Sequence, residues 1–167
     1  MGSRPDVRAG PTSVAWRPMS CRGDYTADEW RAIRQAPTYA GQIISIAEHG
    51  GAFWAMLSLE RAFQDAHAEA RDSQLLADIV ADRPHVGRLR VRSTDEARAH
   101  AVKRLRAAVA IVTKKGDPAE ARKYARFALD VAETVASAYP AAGQPTSPAE
   151  ESVLTGIADG LGLERRK

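Results

Sequence analysis

Four short signals divide this chain into segments. Thr26 with Glu29, Ser93 with Glu96, Asp117-Pro118-Ala119-Glu120 and Ser147-Pro148-Ala149-Glu150 each set a small oxygen-bearing residue three places ahead of a carboxylate. At that spacing the first side chain accepts from an amide of the opening helical turn, and the acid can reach back to the amide behind it. Pro118 and Pro148 bring a preset φ to a first-turn position that needs no amide hydrogen. A chain punctuated in this way is committed to helix at each start.

Each start leads into residues that are apolar at helical spacing. The spacing predicts a first helix from Thr26, with Trp30 and Ile33 inward, ending at Pro37 because the residue before a proline is pushed out of helical geometry. A second runs from Thr38 to Glu48 on Tyr39, Ile43, Ile46 and Ala47, with Gly41 for close approach and Gly50-Gly51 as its stop. The third, Ala52 to Arg71, carries Ala52, Met56, Leu59, Phe63, Ala66 and Ala70, widened by Phe53, Trp54 and Leu57. Ser73 opens a short fourth helix with Leu75, Leu76, Ile79 and Val80, and Pro84 ends it.

Ser93 starts a long helix to Lys115, with Ala101, Val102, Leu105, Ala108, Val109 and Val112 inward and Gly116 as its stop. Tyr124, Phe127, Val131, Val135 and Ala138 line the next, which Pro140 ends. After a loop over 141–146, Val153, Leu154, Ile157, Ala158 and Leu161 form the last stripe before Gly162. Seven such segments and no period-two run give an all-α fold, a compact bundle of six or seven helices. The apolar stretch Ala36 to Leu59 is interrupted by Glu48, His49, Gly50 and Gly51, so it reads as two core helices, with no membrane span.

The boundaries rest on composition and charge. Residues 1–23 hold four arginines against one aspartate among prolines and glycines, and have no apolar core of signal-peptide type. They read as a disordered basic tail, with Met19 an alternative start. Residues 24–163 read as a single helical domain and 164–167 as a charged end. Within the domain, 24–82 has ten acidic residues against four basic, and 83–126 has thirteen basic against four acidic. Either an acidic layer neutralises a basic one inside the molecule, or the basic part faces an anionic partner. Cys21 is the single cysteine, which excludes an internal disulfide and a thiolate metal cluster and suits the cytoplasm.

Motifs of catalysis are missing. His49, His67, His85 and His100 form no H-E-x-x-H pair, and there is no glycine-rich phosphate loop, dinucleotide fingerprint or serine elbow. The chain is therefore expected not to be an enzyme and to hold no resident cofactor. Carboxylates at one-turn spacing, Asp65 with Glu69 and Asp78 with Asp82, could offer oxygens to a divalent cation; otherwise they are solvated helix surface. Asp130 and Glu133 are three apart, with Arg126 in reach of Asp130. A second constellation is basic: Arg83, Arg88, Arg90, Arg92, Arg98, Lys103, Arg104 and Arg106, with only Asp95 and Glu96 between. It could bind nucleic acid or another polyanion without reading sequence, since it has no aromatic platform for stacking bases.

Two stretches carry a resemblance. Tyr25-Thr26-Ala27-Asp28-Glu29-Trp30, continuing to Ala36-Pro37, resembles the opening of bacterial helical proteins related to tellurite-resistance TerB. Ser147-Pro148-Ala149-Glu150-Glu151 through Ile157-Ala158-Asp159-Gly160-Leu161-Gly162 resembles the closing helix of that group. The resemblance implies a compact all-α domain over 24–163, linked to stress response and without a clear assigned activity. The acidic metal-binding cluster suspected in TerB does not map onto residues of this chain. The function expected is that of a non-enzymatic, cytoplasmic helical module acting through an unidentified protein partner or ligand.

Overall fold

In the computed structural model, which describes residues 20–47, 52–69, 71–82, 84, 92–138 and 146–165, the chain passes Pro37 without stopping. Helix α1 runs over Ala27–Ala47 with that proline inside it. The expected break is corrected here, and the reason lies in another helix. Proline has no amide hydrogen, so the carbonyl four residues back, on Ile33, loses its helical donor. The Tyr124 hydroxyl donates to that carbonyl oxygen at 2.7 Å. Both residues are fully buried, and burial pushes the Tyr124 phenol well above its ordinary pKa, so the donor keeps its proton.

Joining the first two segments leaves six helices and no strand among the described residues: α1, then α2 (Ala52–Glu69), α3 (Gln74–Ala81), α4 (Thr94–Lys115), α5 (Pro118–Ser137) and α6 (Pro148–Leu161). The start signals are all in use, in two different ways. At Thr26 and Ser147 the cap accepts from the third residue, and Glu29 and Glu150 return to the cap amide, both at 2.8 Å. Ser93 and Asp117 also accept from Glu96 and Glu120. Their acids go elsewhere: Glu96 accepts from the Arg92 amide, and Glu120 turns into the protein.

Helices α1 and α5 share the centre: α5 is in contact with α1, α2, α4 and α6, and α1 with α2, α4, α5 and α6. Phe127 meets Phe63 of α2 edge to face at 5.4 Å, a geometry that aligns ring edge with ring face. Gly41 lets α1 come close: a Cβ there would lie 2.4 Å from Leu59 Cδ2 and 3.2 Å from Val135 Cγ2. The ordered body also starts before Asp24. Ser20 is buried, and a 3-10 turn, Arg22–Asp24, is tied to α3 by the Arg22 amide donating to Asp78 at 2.9 Å. Residues 20–23 thus belong to the body, while residues 1–19 with Met19, the stops at Gly50-Gly51 and Pro140, and most of the 141–146 loop lie outside the described residues. Among the described residues no helix is long and apolar enough to cross a membrane.

Tyr124→Phe strands the Ile33 carbonyl in the core and is expected to cost about 1–3 kcal/mol of stability. Pro37→Ala supplies a backbone donor to the same oxygen. In urea denaturation the double variant should therefore lose less than Tyr124→Phe loses in the Pro37 background; strict additivity would refute the pairing.

Candidate functional site

Helix α4 is placed by its inner face. Ala97, Ala101, Leu105, Ala108 and Val112 are buried against the bundle. By helical periodicity Ala99, Lys103, Arg106, Ala107, Ala110 and Lys114 fall on the opposite side, and all are exposed. Between Ala97 and Gly116 no carboxylate occurs, so every formal charge on this helix beyond its first turn is positive.

Several of these cations are held by the protein. Arg98 bonds Asp95 at 3.1 Å and lies 3.4 Å from Ser152. The Arg104 guanidinium sits 4.2 Å over the Tyr39 ring, attracted by its negative face. Arg106 donates through Nε to the Gly160 carbonyl at 2.7 Å, near the end of α6 where carbonyls lack helical donors. Lys115 bonds Glu29 at 2.7 Å and the Asp24 carbonyl at 2.9 Å. Lys123, on α5, bonds Asp72 at 2.7 Å. The basic part is thus neutralised by 24–82 at Lys115 and Lys123. Lys103 and Lys114, by contrast, have no partner among the described residues. Arg92 is exposed, and among the described residues only its amide is engaged. Arg83, Arg88 and Arg90 lie outside the described residues.

The carboxylates of the metal reading are placed differently. Asp78 accepts from the Arg22 amide and from Gln74 Nε2. Asp82 accepts from Trp30 Nε1 at 3.0 Å, with Arg22 and Arg34 each at 3.7 Å. This pair fastens the 3-10 turn and α1 to α3. Asp65 is exposed and lies 3.6 Å from Arg61, while the Glu69 side chain lies outside the described residues. Asp65 also borders a cleft with Asp130, Glu133 and Arg165. There Arg126 bonds Asp130 at 2.6 Å and Glu133 at 2.8 Å and donates to the Glu164 carbonyl, while Arg165 pairs with Glu133 and Glu151. Among the described residues no three His, Cys, Asp or Glu side chains are grouped to hold a metal.

One polar centre has only a faint sequence signal, the acid behind the Asp117 cap. Ser20 Oγ donates to Glu120 at 2.6 Å and lies 2.7 Å from the Tyr25 hydroxyl, all three residues being buried. Gly116 clears the space, since a Cβ there would lie within contact of the Glu120 carboxylate. This centre anchors the start of the body to α5.

No family model, curated protein or solved structure matches this chain. The geometry of its own residues is what bears on function, and Lys103 and Lys114 of α4 are cations without a partner among the described residues.

Two glutamates respond to pH with opposite sign. Hydrogen bonds from Lys115 and the Thr26 amide hold Glu29 down to about 2. Its contribution is present above the ordinary glutamate range and is lost as pH falls through that value. Burial pushes Glu133 up against the opposing pull of Arg126 and Arg165. Its protonated form suits the fold, so its contribution is lost as pH rises through the raised value. As pH falls from about 7 to about 3, the Tm advantage of wild type over Glu29→Gln should shrink. Over the same range wild type should gain on Glu133→Gln. Thermal melts of the three proteins check this, and gaps moving in the same direction would contradict it.

Proposed function

We propose that this chain is a non-enzymatic helical module that docks an acidic partner protein on the solvent face of α4. The observation that carries the reading is that beyond its first turn, which holds Asp95 and Glu96, this face bears charge of one sign, with Lys103 and Lys114 unpaired among the described residues. A surface of one sign concentrates opposite charge and steers its encounter, and these lysines have no bond to another described residue to give up on docking. The bundle behind it is tied together through Tyr124, Glu120 and Asp82, so the face stands on a fixed support.

The likeness of 25–37 and 147–162 to the TerB-related group supports a stress-response setting, and a chain with one cysteine suits the cytoplasm. The polyanion reading draws on Arg83, Arg88 and Arg90, outside the described residues, and on Arg92, Lys103, Arg104 and Arg106, and of these four Arg104 and Arg106 are already occupied by Tyr39 and the Gly160 carbonyl. That favours a protein carrying a few well-placed acids over a continuous phosphate backbone.

Fluorescence anisotropy with labelled poly-L-glutamate and a labelled DNA duplex, at low and high salt, tests the reading. The polypeptide should bind at low salt and release as salt rises. Lys103→Gln with Lys114→Gln should weaken it about tenfold, the equivalent of about 1.4 kcal/mol, with little change in Tm because neither lysine has a partner among the described residues. Binding untouched by the double variant, or a duplex held more tightly than the polypeptide, would overturn the proposal.

A further inference from the structure

We infer that the Met19–Ser20 bond is cut, and that the α-ammonium so freed on Ser20 is the counter-charge of the buried Glu120 carboxylate. Glu120 is only 6% exposed, yet among the described residues no lysine, arginine or histidine pairs with it and its Oε1 has no hydrogen-bond partner. A buried carboxylate in that condition is costly. The nearby hydroxyl donors are already committed. Ser20 Oγ gives its hydrogen to Glu120 Oε2 at 2.6 Å, so the Tyr25 hydroxyl, 2.7 Å from that oxygen, gives its own to Ser20. Lys115 is turned to Glu29 and the Asp24 carbonyl.

The group placed to supply what is missing is the Ser20 nitrogen, 3.3 Å from Glu120 Oε2. As a peptide amide it brings one hydrogen and no charge, just beyond the usual N–H···O range of about 2.7–3.2 Å. As an α-ammonium in the same place it brings a full positive charge and three hydrogens, released from the peptide plane. The backbone that follows is fastened so as to deliver it: the Cys21 amide bonds Asp24 at 2.8 Å and the Arg22 amide bonds Asp78 at 2.9 Å. The residue ahead fits as well. An initiating methionine is removed when a small residue follows it, and Met19 is followed by serine. In the cut, water adds across the peptide: its hydroxyl goes to the Met19 carbonyl carbon, the C–N bond breaks, and the nitrogen takes up protons. Ser20 is 3% exposed in the folded protein, so the cut precedes folding.

Amino-terminal sequencing and intact mass of the protein from its native source should find Ser20 first, with a free amine. Two recombinant chains then test the pairing: residues 1–167, in which Ser20 keeps its amide, and a chain begun at Met19, which retains all six helices. In urea denaturation, Glu120→Gln should cost the chain with a free Ser20 amine about tenfold more in folding equilibrium than it costs the long one, because only there does it remove a charge-assisted bond. A second readout needs no variant. Acylation of the Ser20 amine, followed by peptide mapping, should be slow in the folded short chain and fast in urea. A native protein that keeps residues ahead of Ser20 or carries an acetyl group on it would sink the inference. Equal cost of Glu120→Gln in the two chains, or an amine that labels as fast folded as unfolded, would do the same.

Discussion

The hydrogen bond from Tyr124 to the Ile33 carbonyl is the contact on which the arrangement of the bundle turns. It replaces the rung that Pro37 removes, and so keeps α1 a single helix over Ala27–Ala47. A continuous α1 brings Trp30 to Asp82 at one end and Gly41 to Leu59 and Val135 farther along. A broken one would have to turn at Pro37 and give up one of those contacts. Because the donor belongs to α5, that helix does more than fill space: it completes the backbone hydrogen bonding of its neighbour.

That packing sets the character of α4. Its inner face is used by α1, α5 and α6, and the stems of Arg98 and Arg106 are drawn sideways toward α6. Charges near the ends of the helix are used as well, Asp95 by Arg98 and Lys115 by Glu29. The middle of the outer face, with Lys103, Ala107 and Ala110, is exposed. Lys103 and Lys114 contribute little to stability where they stand, since exposed charges gain little even when paired, and these have no partner among the described residues.

Much of the fold was legible because its determinants are local. Caps such as Ser147 with Glu150 span three residues, and the periodicity of α5 shows in Tyr124, Phe127, Val131 and Val135 without reference to any other segment. Gly41 could be read as a contact glycine from its apolar helical surroundings. Pro37 was misleading for a physical reason: the donor that rescues its helix lies 91 residues away. Glu120 was half legible, for its backbone amide obeys the capping rule while its carboxylate serves Ser20, 100 residues distant. The α4 face could be seen as a basic run, but which cations were occupied depended on Tyr39 and Gly160, neither of them charged partners.

The Ser20–Glu120 contact sets an order of events for a chain made from its amino terminus. The first residues of the body emerge early but find their acceptor only when α5 has been synthesised and has folded back. Until then α1 also has an open rung at Ile33, so its early helix is weaker at that point than its length suggests. Both closures need the same helix, and loops of this length are slow to close compared with the local turns that form each helix. Docking of α5 therefore couples the two distant parts of the chain in a single late step, and a nascent chain that ends before Glu120 carries neither fastening.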